Sequence, residues 1–71
     1  MEESCYMEER CTIYGHNVWH YVADLPIGKI HIVDYEGKGM RIVRKIIDGD
    51  SAKADRYFKR ICNRLLKGEL I

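Results

Sequence analysis

Four residues near the start of the chain have the ligand chemistry of a zinc site. Cys5, Cys11, His16 and His20 follow the spacing C-x5-C-x4-H-x3-H. Thiolate and imidazole both suit Zn2+, and the closing H-x3-H is a recurring ligand spacing. The gap between the cysteines is long, however, and the Cys-to-His gap is far shorter than the usual dozen or so residues. If the run around His20 is a strand, His20 faces the core while His16 sits in a turn, so the four do not converge and no metal is expected. Nucleophilic chemistry fares no better. Cysteine and histidine both occur, but none follows a glycine-rich loop or sits in a strand-to-helix elbow. Gly37-Lys38-Gly39 reads as a hairpin tip, because no helix starts behind it. Asp48 and Asp50, flanking Gly49, read as helix caps, since the rest of a calcium loop is missing. No catalytic residue, cofactor or small-molecule substrate is expected, and the chain reads as non-enzymatic.

Two sets of residues point to binding. At 100° per residue, Lys53, Arg56, Arg60, Arg64 and Lys67 share one sector of a helix, with no acid among them. Such a stripe suits phosphates or an acidic partner, although a solvated helix face is the simpler reading. The second set lies on strands. Alternation puts Trp19 and Tyr21 on one side of their run; His31, Val33 and Tyr35 share a side of the next, and Arg41, Val43, Lys45 and Ile47 a side of the last. Taken together, Trp19, Tyr21, His31, Tyr35, Arg41 and Lys45 form an outer aromatic face edged with cations. Val18, His20, Val22, Ile30, Ile32, Met40, Ile42, Arg44 and Ile46 then face the helix. An aromatic face of this kind serves as a protein or homodimer interface, stacks on unpaired bases, or is covered by the N-terminal residues as core.

The elements that position these residues follow from composition and punctuation. The chain has 71 residues, 46% of them apolar and 32% charged, with a net charge of +1. This is one small globular domain whose core is modest, and the near-neutral balance excludes a generic polycation. Charge is segregated: residues 1–36 hold seven acids and two bases, and residues 37–71 hold ten bases and four acids. The opening MEESCYMEER is no secretory signal. No window approaches the roughly 20 apolar residues of a membrane helix. Three cysteines are an odd count for a secreted disulfide framework, so a cytoplasmic chain with reduced thiols is expected. Turn signals at Asp24–Gly28, Glu36–Gly39 and, more weakly, Gly15–Asn17 bound the runs Thr12–Tyr14, Val18–Ala23, Lys29–Tyr35 and Met40–Ile47. Rich in β-branched and aromatic residues, these runs read as antiparallel strands. Asp48, Asp50 and Ser51 are possible N-caps and Gly68 a C-terminal stop, giving a helix over 51–67. Its apolar stripe is Ala54, Tyr57, Phe58, Ile61, Cys62 and Leu65. The expected fold is α+β: a three- or four-stranded antiparallel meander over 12–47, packed against one C-terminal amphipathic helix. Residues 1–11 form an acidic arm that is a short helix, an edge strand or a partner-bound segment.

In element order the chain resembles two nucleic-acid modules. One is the arm-binding N-terminal domain of tyrosine integrases, similar to plant AP2 domains, in which a three-stranded sheet reads DNA. The other is the second half of a double-stranded-RNA-binding domain, whose last helix begins with small and lysine residues; Gly49-Asp50-Ser51-Ala52-Lys53-Ala54 is loosely similar. That family's lysine cluster is absent, and residues 1–11 are too short and acidic for its first helix. No family residue role is carried over. The expected function is a small protein-interaction module, a regulator, inhibitor or adaptor of phage or mobile-element type. Its partner is another protein or a second copy in a homodimer. The alternative is a nucleic-acid-binding module using the helix stripe or the sheet face.

Overall fold

The computed structural model describes residues 4–69. Four strands, β1 (Ser4–Ile13), β2 (His16–Leu25), β3 (Gly28–Glu36) and β4 (Ile42–Asp48), form an antiparallel meander in the order β1-β2-β3-β4. The helix α1 (Ser51–Leu66) follows and covers one side of the sheet, lying chiefly over β2 and β3 with β1 next. The α+β meander with one C-terminal helix is thus the observed architecture.

Its first strand is longer than the Thr12–Tyr14 run predicts. Residues 4–11 of the acidic arm take the edge-strand form among its three options, extending β1 along the edge of the sheet; Glu2 and Glu3 lie outside the described residues. The first turn falls at Tyr14-Gly15, one step earlier than Gly15–Asn17. Both residues have positive φ, 50° and 82°, as the tightest two-residue hairpins require. Met40 and Arg41 are not in the last strand. A 3-10 turn over Lys38–Met40 precedes it, and β4 begins at Ile42.

The helix ends are built as the sequence suggests. Asp50 is the N-cap, its carboxylate accepting the Lys53 N–H at 2.9 Å. At the other end Lys67 is the cap rather than a helical residue. Gly68 N–H donates to the Leu65 carbonyl and Glu69 N–H to that of Arg64, with Gly68 at φ 81°. This pairing satisfies carbonyls that a helix end otherwise leaves open. Ala54, Phe58, Ile61 and Leu65 are buried from α1. Phe58, Ile61 and Leu65 meet Ile13, Val18, Val33 and Tyr35 of the sheet, with Cys11, Val43, Tyr57 and Cys62 at the margin.

Candidate interaction surfaces

Which side chains share a face is decided by the turn between β2 and β3. Leu25 pairs with Gly28, leaving a two-residue loop at Pro26-Ile27. With two residues in the loop, each odd-numbered position of β2 lies opposite an even-numbered one of β3. Trp19 faces Asp34 and Tyr21 faces Ile32, while Val18, His20 and Val22 face Tyr35, Val33 and His31. The expected aromatic face is therefore divided. Trp19 and Tyr21 lie on the side away from the helix. His31 and Tyr35 lie beneath α1 and are buried. Lys45, opposite Val33, is on the helix side, and Arg41 is in the turn before β4. A one-residue change of parity moves every side chain of a strand to the other face, so β3 and β4 turn over together.

The outer face is ordered in rows by the registers. Met7, Tyr21, Ile32 and Ile46 form an apolar row across all four strands. Arg10, Trp19, Asp34 and Arg44 form the next, in which the Arg44 guanidinium holds Asp34 through two N–H···O bonds of 2.8 Å. Beyond it Thr12 donates to Asn17 at 2.6 Å and Asn17 to Glu36 at 2.6 Å. Ile30 adjoins the apolar row, and Ile42 ends the third row opposite Glu36. A solvated antiparallel face normally carries polar side chains. Here Met7, Ile42 and Ile46 are 43%, 53% and 60% exposed, and Trp19, Tyr21, Ile30 and Ile32 are partly so. No described element covers them.

The helix side carries two clefts of opposite charge. Between β1 and α1 lies a cavity of ≈ 510 Å³ lined by Glu8, Glu9, His20, Ser51, Ala52 and Asp55. A bulge between Met7 and Glu9 leaves Glu8 unpaired, and two successive acids thus reach one cavity. Between β4 and α1 lies a cavity of ≈ 320 Å³ lined by Lys45, Ile47, Lys53, Arg56, Tyr57 and Arg60. The stripe of Lys53, Arg56, Arg60, Arg64 and Lys67 is exposed along its length. Asp55, outside it, pairs instead with Lys59 at 2.9 Å.

Sequence reasoning missed the polar inclusion in the core. His20 and His31 are buried side by side, Nε2 to Nδ1 at 2.8 Å, and His20 Nδ1 meets Glu9 Oε2 at 2.9 Å. The carboxylate can only accept, so His20 Nδ1–H donates to Glu9, and one imidazole donates to the other across the Nε2–Nδ1 contact. Burial first, then the adjacent His20, lowers the His31 pKa from its ordinary 6.5. The residues of the C-x5-C-x4-H-x3-H pattern go separate ways. Cys5 is exposed, Cys11 lies 2.8 Å from Cys62, and His16 donates to the Glu36 carbonyl at 2.8 Å. Burial, with Cys11 alongside, pushes the Cys62 thiol up to about 12. Among the described residues no group of three or more His, Cys, Asp or Glu is arranged to hold a metal ion. Among them, too, no helix is long and apolar enough to cross a membrane.

No protein-family model, curated protein or solved structure matches the chain significantly.

Proposed function

We propose that the chain is a small non-enzymatic protein-interaction module that docks through the outer face of its sheet, a second copy being the occupant. One observation carries this reading: a row of large apolar side chains crosses the sheet on the side that α1 leaves open. A contiguous exposed apolar row rimmed by polar residues is the kind of surface that interfaces use. In the rows of this face Asp34 is held by Arg44 and Glu36 by Asn17, so an apolar partner strands neither acid, while Arg10 lies exposed on the edge strand. A second copy brings an identical apolar row and the same internally satisfied ion pair. Four strands at ~4.8 Å spacing, paired over about seven residues, span roughly 450 Å². Two copies would bury about 900 Å² or somewhat more, at the low end for specific association, and the dimer should be weak and reversible. Regulators, inhibitors and adaptors work by such surfaces.

Light scattering on the eluting protein tests this. The wild-type mass should rise towards that of two chains as loading concentration increases. Ile46→Asp, at an exposed site, should hold it at one chain with an unchanged circular dichroism spectrum. A wild-type chain that stays monomeric throughout the series overturns the dimer reading.

A further inference from the structure

The ledge between β4 and α1 has no part in that reading. Because α1 sits chiefly over β2 and β3, β4 projects beyond it, and the helix side of β4 is only partly covered. Ile47 is buried, Val43 is partly buried and Lys45 is exposed. Lys45 thus joins Lys53, Arg56 and Arg60 around one cavity, with Tyr57 and Ile47 on its wall. Four cations from two elements meet there without an acid among the lining residues. None of the four is in an ion pair among the described residues, whereas Lys59 and Arg64 are.

We propose that this ledge binds the phosphate backbone of a nucleic acid. The cations continue past the cavity as a row. Arg56, Arg60 and Arg64 repeat every fourth residue, about 6 Å apart along the axis. A linear array suits a polyanion better than a compact anion. The acidic groups Glu8, Glu9 and Asp55 lie in the cleft on the β1 side of the helix, so the field orients a polyanion towards β4. A membrane surface is disfavoured, because the apolar stripe of α1 is spent on the sheet and cannot enter lipid. The segregation of charge offsets the near-neutral total, since charges more than about 8 Å apart are largely screened at physiological salt.

Fluorescence anisotropy with labelled duplex DNA, single-stranded DNA and RNA tests the proposal. Four phosphate contacts predict a log–log salt slope of about −3.6 on duplex, roughly a 150-fold loss of affinity between 50 and 200 mM salt. Lys45→Gln and Arg56→Gln should each lower that slope by about one, and Lys59→Gln, on the other flank, should leave it unchanged. Absence of saturable binding to all three probes at 50 mM salt overturns the proposal. So does binding that is insensitive to Lys45→Gln, which would confine the contact to the helix stripe. Displacement of the probe by inorganic phosphate beyond the effect of matched ionic strength would reassign the ledge to a compact anion. Ile46→Asp should leave nucleic-acid binding intact, which separates this site from the sheet face.

Discussion

His31 is the residue at which pH should act on the fold. Its imidazole is buried against His20, with Glu8, Lys29 and Asp50 as the other charges that act on it. Its pKa is lowered on folding, so the unfolded chain takes up the proton first as pH falls. The stability it contributes is fully present above 6.5 and is lost progressively below that value. Tm measured from pH 8 to pH 5 should fall in the lower half of the range, and His31→Gln should reduce that fall. The cysteines should separate by reactivity in the same way. Cys5 is exposed, whereas Cys62 is held up at about 12 beside Cys11. The thiolate is the reactive form, so alkylation at neutral pH followed by mass spectrometry should label Cys5 first and Cys62 only on unfolding. Neither the histidine pair nor the Cys11–Cys62 contact was legible in the sequence. The histidines are 11 positions apart and the cysteines 51, and each pair is brought together by strand register or helix docking.

Among the elements, the helix was the most legible. Asp50, the 3.6-residue apolar stripe and Gly68 act locally, so its span and buried side follow from the sequence. The strands were legible as runs, but their faces were not. The parity of β3 against β2 rests on the Pro26-Ile27 loop having two residues, and that length moved His31 and Tyr35 from the expected outer face into the core. The extent of β1 was hidden for another reason. Its run alternates poorly, since Glu8 and Glu9 fall at a bulge. The Tyr14-Gly15 turn gives a stability prediction of its own. Tyr14 is 76% exposed at φ 50°, a conformation that asparagine tolerates better than tyrosine. Tyr14→Asn should stabilise the hairpin by about 0.5–1 kcal/mol, raising Tm by roughly 2–8 °C in a thermal melt.

Across the whole molecule, the chain places one helix against one side of a four-stranded sheet, and its other side has no cover among the described residues. The molecule measures 42 × 20 × 15 Å, a thin body for its length, and a small core of this kind gains from association. A dimer through the outer face would leave both helices outward and both basic ledges free, so the two proposals are compatible and separately testable. Trp19 reports on the first directly. It is the single tryptophan of the chain, partly exposed in the row beside Tyr21 and Ile32. Its emission should be recorded over a dilution series from about 500 to 1 µM, spanning binding energies of roughly 4.5 to 8 kcal/mol. The wild-type spectrum should shift to shorter wavelength as concentration rises, and that of Ile46→Asp should stay fixed. A wild-type spectrum that does not change with concentration would contradict docking of a second copy on this face.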